Sequence, residues 1–325
     1  MTMILETEPL VEFGEPVTMP FKGKDVQAYR DKNSGYIFFE PPTPEELNEF
    51  YQSAYAGKHT NTYYNCKSDY NPAKNAYHAD RVLPRFDEVN GCPPKNALEL
   101  GCAFGGLVAE MTRRGVDTLG FDIAADAIKQ GRDAMQNDHI FHASNLDALD
   151  QIKQPFDLIY SLGSLEHDPA MVDVIAKCRT SLSDRGVIYV FVPNAMFINS
   201  IIGGFCNNFW ATYPEHLHMP SPGFLLQLCD ATGFEPLYWN TDIIFYEGQK
   251  IPGLYDGSTL PAMGSRWQFA LEMGSYGMAL NFSLTPKGST VAKAQATRIE
   301  RTRLSLEANR IREIEIRNYL RTAER

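Results

Sequence analysis

The chain has 325 residues, a formal net charge of −10 and a hydrophobic share of 44%. Those values fit a globular protein with a sizeable core, exclude a disordered chain, and argue against a partner as acidic as nucleic acid held by bulk charge. The six cysteines include no C-x-x-C pair, which argues against a zinc knuckle and a disulfide framework and fits the reducing cytoplasm.

Residues 1–95 read as an irregular segment rich in Tyr, Pro and Asn, serving as a lid or substrate segment. It opens on MTMILETEPLVEFGEP, which is acidic and has no basic leader, so no signal peptide is expected. TPEELNEFYQSAY has a helix signature, with Thr43 as N-cap, Pro44 at the first helical position and Glu45 and Glu46 at the positive end of the dipole. Residues 74–90 carry Tyr77, Val82 and Phe86 at turn-like spacing and also read as helical.

From 96 to 193, short apolar runs alternate with amphipathic stretches. NALEL, TLGFD, HIFHA, FDLIYSL and GVIYVFVP read as strands. Gly105–Arg114, Ala124–Gln136 and Ala170–Leu182 read as helices. This alternation predicts an α/β fold, a Rossmann-like, doubly wound, seven-stranded sheet. The most apolar stretch, Val187–Phe205, is interrupted by Pro193, Asn194 and Asn199, so it reads as a strand and a loop and no transmembrane span is expected. After a long loop come a helix at Gly223–Thr232, a strand near Phe234–Trp239, an insertion at 241–276 and a last strand within Met278–Thr285. Residues 96–290 thus form the main domain.

Residues 291–325 lack Gly and Pro, and hold nine Lys/Arg against five Asp/Glu. They predict one long helix with Leu304, Ala308, Ile311, Ile314 and Tyr319 along one stripe, widened by Ile299, Leu306 and Leu320. Such a basic helix can pack back on the acidic body, pair two copies as a short coiled coil in a homodimer, or touch an anionic membrane surface.

The strongest local signal is LELGCAFGGL, residues 98–107. An apolar strand ends near Glu99, a Gly101-x-x-x-Gly105 turn follows with Ala103 and Phe104 inside it, and a helix begins. Glycine suits a sharp turn that a ligand must approach closely, and the helix start offers free N–H groups. The next strand ends at Asp122, 21 residues after Gly101, where a carboxylate in Rossmann-type folds grips both ribose hydroxyls. A pyrophosphate would be repelled by Glu99. A cationic amino group and sulfonium would be attracted. The charge argument therefore favours S-adenosylmethionine (SAM) over a nicotinamide dinucleotide.

LELGCAFG, GFD, FDLIYSLGSLEHDP, LSDRGVIYVFVPN and EHLHMPSPGFLLQLCDATGF together resemble the class I SAM-dependent methyltransferases, and more narrowly the group common in glycan and natural-product biosynthesis. The resemblance runs from about Gly35 to Trp239. Many members open with a small zinc ribbon, but Arg30–Ser34 carry no cysteine, and the family's usual middle glycine is Ala103 here. The resemblance implies Glu99 near the methionine amino group and Gly101, Ala103, Phe104 and Gly105 lining the loop. It implies Asp122 on the ribose, Ile123 on the adenine face and Asn145 and Leu146 at the adenine edge. Ser161, Leu162 and Gly163 would end the fourth strand beneath the sulfonium. It further implies that the tyrosine-rich lead-in (Tyr51, Tyr55, Tyr63, Tyr64, Tyr70, Tyr77) covers the cofactor, with Tyr77 or Tyr64 at the methionine end.

Methyl transfer to a hydroxyl calls for an aligned acceptor and a proton acceptor. His167 in SLEHDP and His216 and His218 in YPEHLHMPSP are the candidate bases. The H-x-H pair has no evident third ligand, so no metal is expected. Glu166 and Glu215 can orient an imidazole only where their side chains turn toward it, since neighbours in an extended segment point apart. Phe209, Trp210 and Tyr213 would wall a pocket for a small-molecule acceptor, first of all a hydroxyl of a saccharide or nucleotide sugar. N- or C-methylation of a natural product is an alternative. So are a dehydrogenase on the same fold, which lacks its glycine fingerprint here, and a non-catalytic scaffold acting through the terminal helix.

Overall fold

The computed structural model describes residues 3–12, 14–55, 66–197, 204–205, 211–242 and 277–323. Tyr63, Tyr64, Phe209, Trp210 and all but the first two residues of the 241–276 insertion lie outside them.

The N-terminal segment is not irregular. It contains β1 (Thr7–Pro9), β2 (Val11–Glu12), β3 (Glu15–Pro16), β4 (Thr18–Phe21), β5 (Lys24–Asp31) and β6 (Ile37–Phe39), followed by α1 (Pro44–Tyr55), α2 (Cys66–Asp69) and α3 (Pro72–Asn90). These strands escape periodicity because most span two to four residues. Their apolar side chains are buried by distant chain: Leu10, Val17, Ala28, Ile37 and Phe39 pack with Ala195, Phe205 and Met219. Tertiary packing, not local pattern, makes them strands. Helix α3 starts where Asn71 accepts the N–H groups of Ala73 and Lys74, has Pro72 at its first position and ends on left-handed Gly91.

The α/β unit follows as β7 (Asn96–Leu100), α4 (Gly106–Arg113), β8 (Asp117–Asp122), α5 (Ala125–Met135), β9 (Ile140–His142), α6 (Asn145–Gln151) and β10 (Phe156–Leu162). A 3-10 turn (Leu165–His167), α7 (Met171–Ser181), β11 (Leu182–Pro193), β12 (His218–Met219), α8 (Phe224–Thr232), β13 (Phe234–Asp242) and β14 (Ala279–Pro286) come next, before α9 (Thr290–Ala294) and α10 (Ala296–Ala323). The seven-stranded sheet runs β13-β14-β11-β10-β7-β8-β9, and β14 is antiparallel to both its neighbours. Alternate residues of the central strands feed opposite layers. Leu98, Ile159, Ile188 and Phe282 enter one apolar cluster with α7 and α8. Ala97, Leu158, Val187 and Ala279 enter another with Val82 and Phe86 of α3. This period of two is what a sheet covered on both faces requires.

Strand order reverses at β7, which has β8 on one side and β10 on the other, so a crevice opens at the carboxyl ends of these strands. A second sheet, β1-β5-β6-β12 with β4 on β5, is completed by the loop that follows β11: His218 pairs with Phe38 and Met219 with Ile37. The N-terminal segment and the loop beyond β11 are therefore one structural unit.

The C-terminal stretch is two helices, α9 and α10, joined at Gln295, rather than one. The line that α10 buries is Ile299, Leu306, Asn309 and Glu313, whereas Leu304, Ile311 and Tyr319 of the expected stripe face solvent. Arg303 bridges Glu235 at 2.8 Å and Asp230 at 3.0 Å, Arg298 bridges Glu88 at 2.8 Å, and Arg317 donates to the Lys32 carbonyl at 3.1 Å. The helix is strapped along the body from α3 to the N-terminal sheet. Among the described residues, no helix is long and apolar enough to cross a membrane.

Candidate functional site

The glycine loop after β7 is built on left-handed backbone. Gly101, Ala103 and Gly105 have φ of 74°, 48° and 84°. At Gly101 glycine is obligatory twice over, because a Cβ there would come within 1.6 Å of the Ser164 hydroxyl from the turn after β10. The two βα turns thus touch at the crevice. Gly101 and Cys102 donate to the Phe121 carbonyl at 2.8 and 2.9 Å, which pins the loop to the end of β8.

Asp122 occupies the tip of β8 and is nearly fully buried. Its Oδ2 accepts the Ala103 N–H at 2.8 Å and its Oδ1 the Ala124 N–H at 2.7 Å. Each oxygen retains a further lone pair for a diol. Ile123 follows with its side chain 47% exposed, a large apolar surface beside a carboxylate, as an aromatic ring of a ligand would use. Asn145 opens α6 rather than a loop, and its Nδ2 donates to Asp168 Oδ2 at 2.8 Å. That bond turns its carbonyl oxygen free to accept an exocyclic amine. Leu146 beside it is half-buried.

Glu99 is buried, with the Tyr160 hydroxyl donating to Oε2 at 3.3 Å. Burial first, then the negative charge of Asp69, push its carboxyl well above the usual range. Burial likewise raises Asp122 and Asp69. Lys74, 3.6 Å from Asp69, is the cation paired with this group. Lys74 also offsets Glu99, whereas Asp122 leans on the Ala103 and Ala124 N–H groups and His142; a ligand bearing an amino group and a sulfonium adds positive charge to this acidic pocket. The residues present fit SAM on that ground.

The structure adds residues that sequence reading missed. Asp69 Oδ2 accepts the Gly106 N–H at 2.7 Å, Tyr70 donates to the Phe104 carbonyl at 2.9 Å, and Asn137 donates to the Gly105 carbonyl at 3.0 Å and to Tyr70 at 3.1 Å. This bracket seats the start of α4. Phe104 is itself buried. The signal available was Asn71-Pro72 as a helix start, which places the preceding Asp69 and Tyr70 next to the fold. Tyr70 is the tyrosine brought to the glycine loop. Tyr77 turns elsewhere: it is 48% exposed and bonded to Arg81 at 2.5 Å. Arg81 pairs with Asp242 and reaches Asn281 at 3.3 Å, at the carboxyl edge of β13 and the start of β14.

On the other side of the crevice, Ser161 ends β10 with its buried hydroxyl lacking a hydrogen-bond partner. Leu162 is half-buried, and Gly163, at φ 68°, donates to the Phe191 carbonyl at 2.9 Å. The 3-10 turn brings Glu166 and His167 to His216, whose ring meets that of His167 edge to face with centroids 4.7 Å apart. Burial drives His167 well below the usual histidine range and His218 down to about 4. His218 stands apart from that pair and holds the Tyr36 hydroxyl through Nδ1 at 2.5 Å. Tyr213 donates to the Glu40 carbonyl at 3.1 Å and packs edge-on against Phe21, inside the N-terminal unit.

The methyltransferase domain family model matches residues 73–238. A ubiquinone biosynthesis O-methyltransferase of Glaesserella parasuis is 29% identical over 116 residues, which cover 33% of this chain and 49% of that protein. The same-named enzyme of Idiomarina loihiensis is 28% identical over 165 residues, 47% of this chain and 67% of that protein. The chain spans about half the length of the first of these relatives. A SAM-dependent methyltransferase structure from Archaeoglobus fulgidus aligns with a TM-score of 0.46 at 19% identity, covering 65% of this chain and 92% of that one. With the family model covering half of its length, the chain belongs to the methyltransferase domain family.

Proposed function

We propose that the crevice between β7, β8 and β10 holds SAM and that the chain transfers its methyl group to a hydroxyl of a small molecule. The observation that carries this reading is the acidic set of buried Glu99 and Asp122 with half-buried Asp69 around a left-handed glycine loop. Glu99 would receive the methionine amino group, Asp122 the ribose diol, Ile123 and Leu146 the adenine faces and Asn145 its amine. Gly101, Ala103, Phe104 and Gly105 would shape the loop, with Ser161 to Gly163 below the methyl group. SAM supplies an electrophilic methyl, and this chain's residues bind it, align it and keep water out.

The acceptor would enter from the side of β11, β12 and β14. Residues 1–95 would wall that side, residues 96–290 would hold the donor, and 291–325 would strap the two together. His167, His216 and His218 would stand along this wall. Burial favours neutral rings at His167 and His218, which suits positioning more than proton uptake at neutral pH. A hydroxyl of a saccharide or nucleotide sugar is our first acceptor, on the resemblance of the EHDP and EHLHMPSP segments to the glycan-modifying group. A phenolic hydroxyl is the second, favoured by relatives named ubiquinone biosynthesis O-methyltransferases. Incubation with methyl-labelled SAM and panels of nucleotide sugars and catechols tests both. Label transfer to one class identifies it, and S-adenosylhomocysteine formation with neither class while SAM binds would shift the reading to nitrogen or carbon acceptors.

A further inference from the structure

Glu166, His167 and His216 converge on one point from two segments that are far apart in sequence. Glu166 Oε1 lies 3.8 Å from His167 Nε2 and 3.9 Å from His216 Nε2, and one donor atom from each residue falls within 4.8 Å of the others. These separations are too long for hydrogen bonds. Both oxygens of Glu166 and Nε2 of His167 are buried without any hydrogen-bond partner. An unpaired carboxylate with no exposure is costly, yet the turn carries one, aimed between two imidazoles.

The protonation of His216 is set by its neighbours. The Thr212 hydroxyl is 3.3 Å from Oε2 of Glu215 and 2.6 Å from Nδ1 of His216, and when it donates to Glu215 its lone pair accepts from Nδ1. With the proton on Nδ1, the lone pair sits on Nε2, which faces Glu166. This is the arrangement in which an outer hydrogen bond fixes a metal-binding histidine. Backbone bonds hold the frame: Leu217 donates to the Glu166 carbonyl at 2.9 Å and His216 to the Thr212 carbonyl at 2.7 Å.

We propose that Glu166, His167 and His216 bind one divalent transition-metal ion of the zinc class. Two imidazole nitrogens and one carboxylate oxygen are a donor set this class accepts. At bond lengths of about 2.0–2.1 Å, tetrahedral donors sit about 3.3 Å apart, so the ion draws each imidazole nitrogen toward Glu166 by roughly half an ångström and the two imidazoles toward each other from within 4.8 Å. One position stays open for water or an acceptor oxygen. The ion ties the turn after β10 to the loop that precedes β12, and so sets the acceptor wall. The inference does not rest on the methyl-transfer reading. Sequence spacing concealed it because the third ligand is the neighbour of the second: an extended chain would point them apart, whereas the 3-10 turn brings both to one side.

The test uses the full chain, stripped with chelator and titrated with Co(II) or Zn(II) alone. The expected result is one ion per chain with Co(II) d–d absorption of a four- or five-coordinate site, and a raised melting temperature. Glu166→Gln and the double variant His167→Asn/His216→Asn should each weaken Co(II) at least about 100-fold, with S-adenosylhomocysteine affinity unchanged. Binding below about one-tenth of an ion per chain at concentrations that saturate simple two-histidine sites, or equal binding by the double variant, overturns the proposal. Should the variants fail to fold, paramagnetic NMR of the Co(II)-loaded wild type decides: two shifted imidazole N–H signals support the site, and none contradicts it.

Discussion

The Tyr36 hydroxyl and Nδ1 of His218, 182 positions apart, meet at 2.5 Å. Tyr36 also stacks on Phe224 at the start of α8, with centroids 4.2 Å apart. The N-terminal sheet, the loop beyond β11 and the α/β layer therefore join at one tyrosine. Tyr36→Phe keeps the stack and removes one buried hydrogen bond, for a loss of about 1 kcal/mol. The melting temperature should fall and the acceptor KM should rise, while SAM affinity holds. A simultaneous drop in SAM affinity would show that the two halves of the crevice are not separable.

Ala103 holds a φ of 48°, in a region that costs a residue with a Cβ about 1 kcal/mol. Ala103→Gly relieves that strain and loosens the unfolded chain, and the two effects oppose. The variant should match or exceed wild-type stability by up to about 0.5 kcal/mol in denaturant unfolding, and should bind donor equally. Gly101→Ala is the contrasting case, since its Cβ runs into Ser164. It should lose donor binding and stability together.

Glu99→Gln removes a buried charge in a site crowded with acids. Without donor, the variant should be at least as stable as wild type, because burial and Asp69 already disfavour the ionised form. Donor affinity should fall about tenfold to a hundredfold, for SAM and S-adenosylhomocysteine alike, since both carry the amino group. Paired calorimetry and thermal melts separate the two effects. Lower stability of the unliganded variant would contradict the proposed charge surplus.

Glu313 on α10 is buried against Gly223 at the start of α8, where a Cβ would come within 2.9 Å of its Oε2. Arg317 and Arg310 flank it, yet burial outweighs them and pushes its carboxyl up to about 8. Its folded pKa lies above the unfolded value of about 4.5, so the folded state binds the proton more tightly. Stability from this group is present at pH 4.5 and below, and is lost as pH rises toward 8. Glu313→Gln should therefore gain on wild type by roughly 4 kcal/mol between pH 5 and 8.5. Urea unfolding at the two pH values measures the gain, and a constant difference would contradict it.

The strands of the seven-stranded sheet were legible because apolar runs such as GVIYVFVP are long enough to betray their period, whereas the antiparallel setting of β14 shows only in its pairing. The donor loop was legible for the same reason: Glu99, Gly101 and Asp122 sit at fixed offsets from strands that local pattern reveals. The N-terminal strands were not legible, because Val11–Glu12 and Glu15–Pro16 are strands only by pairing with each other and His218–Met219 joins β6 from a distant part of the chain. Asp69 was hidden likewise, and Tyr70 was expected only as one of several lid tyrosines: the Asn71-Pro72 helix start in SDYNPAKN places both before α3 but does not show that they bond to the start of α4. The inward face of α10 was misjudged at Leu304 and Ile311, since Asn309 and Glu313 are buried instead, against the rule that apolar residues face the body.

The direct test of the account is isothermal calorimetry of the wild type and Asp122→Ala with SAM, S-adenosylhomocysteine and NAD. The wild type should bind SAM and S-adenosylhomocysteine one to one and leave NAD unbound. The variant, deprived of about 3 kcal/mol of charge-assisted bonding to the ribose, should bind both about a hundredfold more weakly. NAD binding, silence toward SAM, or undiminished affinity in the variant would contradict it.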